Sequence, residues 1–420
     1  MRCCWKSLQT LESERKFRRV AKNNKYYVEM AQRYLFQNYG GQLPMAVARG
    51  KGCYLWDVEG KRYLDWIGGR GTANLGHANP RIVSAIKKQA SRLLHVTNDL
   101  FIPSQIELAK LLVEKTFADR VFFCNSGAEA NETAVKLARK FSKDQGRPER
   151  FEVITAKGSF HGRTLAMIAA TGQEKVQKGF EPMPSGFRYV PFDDLEATAK
   201  AVDEKTCALF VEPIQGEGGV YVPSNGYLKG LRKICDENKI LLIFDEVQVG
   251  LSRTGELMAH EQEGVTPDIA TLAKSLAGGV SIGAVLAREE VAQSMGPGTH
   301  GCTFGGNPLA TAVGIAAFRR LSSPSFLKRV RTAGEYFQKK LNELKKCHST
   351  ITEIRGRGMI WAIDFSRPVR SIVERCLREG LLLNATCEKT LRFLPPLVIE
   401  KSQINEGISI LNRVLKEEIQ

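Results

Sequence analysis

"ILLIFDE", residues 240–246, places five apolar residues in a row and then two acids. A run this short and this continuous reads as a strand covered on both sheet faces, with the acids where it ends. Working outward, the same pattern recurs. "FEVITA" (151–156), "CALFVE" (207–212) and "PDIATLA" (267–273) are further short apolar runs, and "RVFFC" (120–124) precedes the amphipathic "EANETAVKLARKF" (129–141). A helical stretch over 226–238 separates two of the runs. Strands alternating with helices imply parallel pairing and an α/β core. "YLWDVEGKRYLDWI" (54–67) is different: it predicts a hairpin about the Glu59-Gly60 turn. After Pro308 a long helix is predicted to about Arg320, then charged helical sequence and shorter strands such as "MIWAIDF" (359–365). The expected organisation is a basic extension (1–40), a segment (41–75) joining the small domain, a large domain (76–308) and a C-terminal small domain (309–420).

The chain has 420 residues, which fits about two domains. Its net charge of +16 is uneven. Residues 1–50 hold 10 basic against 3 acidic residues, 319–420 hold 20 against 11, and 51–318 hold 31 of each. A basic excess confined to the ends argues against a nucleic-acid enzyme and fits a solvated surface. No run approaches the ~18 apolar residues of a membrane span. The ten cysteines lack CxxC spacing and the six histidines lack HxxxH spacing, so a reduced compartment and no structural metal are expected. "ERKFRRVAKNNK" (14–25) has no long apolar stretch behind it; a cytoplasmic protein is expected, with an organellar presequence as the alternative reading of 1–40.

Open α/β sheets bind ligands at the carboxyl ends of their strands. Polar groups stand there in turn: Asn125-Ser126-Gly127-Ala128, Glu212, Asp245 with Gln248, and Lys274. Read alone, Ser126 and Glu129 are a capping box, Asp245 a cap and Lys274 a snorkelling lysine. Together they meet the needs of pyridoxal 5′-phosphate (PLP): a lysine for its aldehyde, a carboxylate for its ring nitrogen and a helix N-terminus for its phosphate. The small residues after Lys274 leave room for such a group.

The sequence from Lys51 onward resembles the class III aminotransferases, in the acetylornithine/ornithine branch. The resemblance lies in "FFCNSGAEANETAVKLARK", "FHGRTLAMIAATGQEK", "VEPIQGEGGV", "LLIFDEVQVGLSRTGE", "DIATLAKSLAGG", "GTHGCTFGGNPLA" and "LRFLPPL". It implies a type I PLP-dependent transferase fold, with a large mostly parallel sheet domain and a smaller α/β domain, in a homodimer whose sites lie at the interface. It implies that Ser126, Gly127 and Ala128 hold phosphate. Phe160 stacks on the ring with His161 beside it, and Glu212, Asp245 and Gln248 line the ring. Lys274 carries the cofactor, and Thr303 reaches the neighbouring subunit's phosphate. Arg163 and Arg392 match carboxylate clamps, and Glu217 matches the acid that neutralises Arg392 while the other substrate binds. Without the resemblance, both arginines read as surface residues.

The implied reaction moves the ω-amino group of N-acetylornithine, or a similar acylated basic amino acid, to 2-oxoglutarate. His161 and "GTHGCTFGG" lean toward the acetylornithine side. Ornithine or 4-aminobutyrate transamination is the alternative within the class, and a non-catalytic nucleic-acid-binding protein the alternative outside it. "GGRGTANLGH" (68–77) departs from the family: Arg70 stands at a substrate-facing position usually held by Ile or Tyr. Its guanidinium either meets an extra substrate carboxylate or turns away and pairs elsewhere.

Overall fold

The computed structural model describes residues 22–417. Residues 1–21 of the basic 1–40 extension therefore lie outside the described residues; the rest includes the helix Asn24–Tyr34, which buries none of its side chains. Asn24 ties that helix to the body by donating to Asp57 Oδ2 and accepting from the Ala46 N–H.

A seven-stranded sheet organises the structure. Its order is Arg120–Cys124, Gly283–Ala287, Ile269–Leu272, Leu241–Asp245, Thr206–Val211, Glu152–Ala156, Phe187–Val190. The strand opened by "LLIFD" lies at the centre, parallel to both neighbours. All five of its residues are buried, and their period of two divides them between the faces. Leu241 and Ile243 pack with Ala134, Leu137 and Ala138 of the helix Gly127–Asp144. Leu242 and Phe244 pack with Leu228, Leu231 and Ile234 of the helix Tyr227–Asn238. Each such side chain contributes about 1.5–3 kcal/mol of burial, which fixes the strand's register and so the position of Asp245 at its end.

One strand makes the sheet mostly rather than wholly parallel. Gly283–Ala287 runs antiparallel to both of its neighbours, Arg120–Cys124 and Ile269–Leu272. It follows Lys274 after a tight turn, too short for the crossover that parallel pairing requires. The 54–67 hairpin forms as expected, with Tyr54–Asp57 antiparallel to Arg62–Asp65. The latter strand pairs in turn with Leu381–Leu382 from near the C-terminus. The helix Pro308–Leu321 and the strand Ile360–Phe365 also lie where the sequence places them.

Arg253 fastens these parts together. It is completely buried, donates through Nη1 to the carbonyls of Met359 (2.9 Å) and Pro395 (2.7 Å), and through Nη2 to Asn74. Burial pulls its guanidinium down to about 9. Arg253→Met is expected to orphan all three acceptors at a cost of roughly 3 kcal/mol. Thermal denaturation checks this: Tm should fall by about 3 °C at this chain length, and an unchanged Tm would count against the fastening role.

Candidate active site

The carboxyl ends of the central strands open on a cavity of about 490 Å³. Its lining includes Ser126, Gly127, Ala128, Phe160, His161, Arg163, Glu212, Glu217, Asp245, Gln248 and Lys274. Arg392, Arg70 and Thr303 do not line it.

Lys274 follows the strand Ile269–Leu272 and starts a short 3-10 turn. Its φ of 25° lies in the left-handed region, disfavoured for a residue with a Cβ, a strain of the kind that collects at working residues. Burial pulls its ammonium down to about 8; Glu217 opposes the drop and Arg392 adds to it. Roughly 10 % of such an amine is neutral at pH 7, against ~0.03 % for an ordinary lysine.

Asp245 is held by three donors. Asn131 Nδ2 (2.8 Å) and His161 Nδ1 (2.9 Å) meet its Oδ2, and the Val247 N–H (3.0 Å) meets its Oδ1. His161 stacks on Phe210 with ring centroids 4.0 Å apart. Asn131 also donates to the His161 carbonyl, so it locks both residues. No sequence motif marks Asn131 as a site residue. It is a buried amide four residues into the helix that starts at Gly127, and a polar residue on a helix's buried face was the available signal.

That helix is capped by Ser126, whose Oγ accepts from the Glu129 N–H at 3.2 Å. The expected box closes differently: the Glu129 carboxylate accepts from the Asn125 N–H, one residue earlier. The first-turn N–H groups of Gly127 and Ala128 have no intrahelical acceptor and stand at the cavity wall.

Glu212 accepts from the N–H groups of Phe160 (3.0 Å) and Gly216 (3.2 Å). Burial and the charge of Asp245 push its carboxyl up to about 8. Arg163 is exposed, its guanidinium 5.3 Å from the centre of the Phe160 ring.

Arg392 is 1 % exposed, which corrects the reading of it as a surface arginine. It sits on the strand Thr390–Phe393 and donates through Nη1 to Glu217 Oε1 (2.8 Å), the Gly216 carbonyl (3.0 Å) and Gln248 Oε1 (3.3 Å). Nε and Nη2 reach Asn384 Oδ1, a partner on the neighbouring strand that no sequence motif marked. Gln248 Nε2 completes the group by donating to Glu217 Oε1 (3.1 Å). The close fit needs Gly216, where an added Cβ would lie 1.7 Å from Gln248 Oε1. Burial would raise the Glu217 carboxyl, but Arg392, Lys274 and these hydrogen bonds together hold it down to about 2. Thr303 is exposed, on the turn before the helix Pro308–Leu321.

A lysine, a carboxylate held by three donors and a helix N-terminus thus meet on one cavity. The chain belongs to the class-III aminotransferase family, whose model matches residues 35–415. It is 47 % identical to the acetylornithine aminotransferase of Caldanaerobacter subterraneus over 386 residues, covering 92 % of this chain and 98 % of the relative. It is likewise 47 % identical to that of Methanocaldococcus jannaschii over 392 residues, 93 % and 98 % of the two chains. Among solved structures, the ornithine aminotransferase of Toxoplasma gondii matches with a TM-score of 0.92 at 35 % identity, over 95 % of this chain and 97 % of that one. The acetylornithine aminotransferase of Elizabethkingia anophelis matches with a TM-score of 0.85 at 34 % identity, over 94 % and 100 %. The type I fold expected from the sequence is the fold of these neighbours, and the chain is an aminotransferase.

Proposed function

We propose that the chain holds PLP on Lys274 and moves the ω-amino group of N-acetylornithine, or a similarly acylated basic amino acid, to 2-oxoglutarate, a step of arginine biosynthesis. The observation that carries this reading is the meeting of Lys274, Asp245 and the 126–128 helix start on one cavity. The donor set fits PLP. Asp245 keeps acceptor capacity on Oδ1, which receives one N–H, and can take the ring-nitrogen proton. The free N–H groups of Gly127 and Ala128 suit a phosphate, and Lys274 supplies the amine. When bound, PLP supplies an aldehyde that takes up amines and a ring that accepts electrons from the substrate carbon.

The chain's own residues do the rest. His161 and Asn131 fix Asp245 in place by donating to it. Lys274, lowered toward neutrality, takes and returns a proton at its Nζ. Phe160 covers one side of the cavity, its backbone anchored by Glu212. Arg163 and Arg392 orient substrate carboxylates, and Glu217 neutralises Arg392 when no carboxylate is there.

Donor choice follows from charge. Arg163 is an exposed guanidinium on this cavity. It disfavours the free α-ammonium of ornithine, whereas an acylated nitrogen carries no charge. A panel of amino donors with 2-oxoglutarate as acceptor tests this. N-acetylornithine should exceed ornithine and 4-aminobutyrate at least tenfold in kcat/KM; a preference for ornithine would overturn the donor assignment.

A second copy of the chain completes the proposal. Leu94, Leu100, Phe101 and Phe304 are exposed, and Asn98 and His95 tie their two segments together through Cys302, Gly305 and Phe304. A partner covering this face would take Thr303 toward its own cavity.

A further inference from the structure

Gly68, Gly69, Arg70 and Gly71 have φ of 54°, 59°, 57° and 88°. Four successive left-handed residues make a turn that glycine adopts freely and arginine does not, at about 1–2 kcal/mol for the one residue with a Cβ. The turn is pinned on both sides. A Cβ on Gly68 would lie 2.3 Å from the Leu394 carbonyl, two residues beyond Arg392. Ser275 Oγ, next to Lys274, donates to the Gly71 carbonyl at 2.9 Å. The turn thus aims Arg70 at the mouth of the site.

What Arg70 meets there is Glu217. Its Nη1 lies 3.6 Å from Glu217 Oε2, while Oε1 of the same carboxylate belongs to Arg392 and Gln248. The two guanidiniums differ in burial: the Arg392 side chain is fully buried and that of Arg70 is 60 % exposed. One carboxylate therefore stands between an inner and an outer cation. At 3.6 Å the outer contact is an ion pair and not a hydrogen bond; the inner contact has both. A substrate carboxylate can reach Arg392 only if Glu217 gives up Oε1's bonds. An ionised carboxylate that leaves a cation in a half-buried site needs another counter-charge; of the other cations near it, Lys274 is assigned to the cofactor, and Arg70 already faces Oε2.

We infer that Arg70 is the receiving partner of Glu217: it takes that carboxylate when an incoming dicarboxylate replaces Glu217 on Arg392, and so favours the dicarboxylate half of the reaction. This rests on the reading that 2-oxoglutarate and glutamate use Arg392. Arg70 is a positioning residue, acting through Glu217. It contributes little while Glu217 is bound inward and most when Glu217 has moved outward, so its loss falls on one half-reaction.

The variant Arg70→Asn removes the charge and keeps a residue that tolerates the left-handed region, which avoids backbone strain as a confounding cause. Holoenzyme is titrated calorimetrically with glutarate, a dicarboxylate that cannot react, and single-turnover rates are measured for each half-reaction. Arg70→Asn should weaken glutarate ~3–10-fold, the scale of one partly exposed ion pair, and raise the KM for glutamate similarly with kcat little changed. The N-acetylornithine half-reaction should change less than twofold, and Arg70→Lys should restore most of the glutarate affinity. An unchanged glutarate affinity would overturn the inference. So would equal losses in both halves, the mark of a purely structural role, or an altered preference between acetyl- and succinyl-ornithine, the mark of a guanidinium that reads the donor. A wild-type enzyme that bound glutarate but passed no amino group to 2-oxoglutarate would sink the acceptor assignment instead, and the glutarate comparison would still decide the role of Arg70.

Discussion

Lys274→Ala should abolish turnover, by at least ~10⁴-fold, and should leave the purified protein without covalently held cofactor. Two losses combine. The amine that attaches the aldehyde is gone, and so is the group that carries the proton, a role worth about 10²–10⁴-fold on its own. The fold should survive, because burial disfavours this ammonium, and alanine keeps a Cβ at the φ of 25°, so the backbone strain is unchanged. Visible absorbance of the B6-supplied protein, single-turnover assays and a thermal melt check the three parts. Retained absorbance with a normal rate would remove Lys274 from the chemistry; a collapsed melt would mean that the lysine is structural.

Arg392→Ala should lower kcat/KM for the glutamate half-reaction by roughly 10²–10³-fold, the cost of losing a buried guanidinium contact to a carboxylate. The N-acetylornithine half should lose no more than about tenfold. The asymmetry arises because Glu217 covers Arg392 whenever no substrate carboxylate does. Equal losses in the two single-turnover rates would contradict the clamp role. A stability effect accompanies it. Glu217 is held at about 2, below its ordinary 4.5, so its pairing stabilises the fold fully above that ordinary value and is lost progressively as pH falls from 4.5 through about 2. In Arg392→Ala the chief charge holding that carboxyl down is gone, so much of the contribution should be missing at neutral pH, seen as a lower Tm at pH 7.

Much of this was legible in the sequence because local pattern and topology coincide. "ILLIF" is apolar at every position, and the structure divides those positions between two helical layers. Once the strands are parallel, their carboxyl ends share an edge, so Asp245, Glu212 and Lys274 had to come near one another. What escaped notice depends on contacts between distant segments. Asn131 holds Asp245 across 114 positions, and Asn384 reaches Arg392 across a strand pair whose register no local pattern declares. The burial of Arg392 was hidden for the same reason: one arginine among apolar residues looks like a surface charge until Glu217, 175 positions away, is seen beside it. Arg70 showed in sequence only as a departure from the family; its partner appears once the left-handed turn is built. The strand Gly283–Ala287 had no motif of its own in the sequence, although its short connection from Lys274 already excludes a parallel crossover.

The attachment of the cofactor to Lys274 can be tested without any variant. B6-supplied protein is reduced with borohydride, digested and mapped by mass spectrometry. The pyridoxyl label should fall on the peptide that contains Lys274 and on no other. Label on a different lysine, or a protein that takes up none, would contradict the assignment of this cavity as the site of amino transfer.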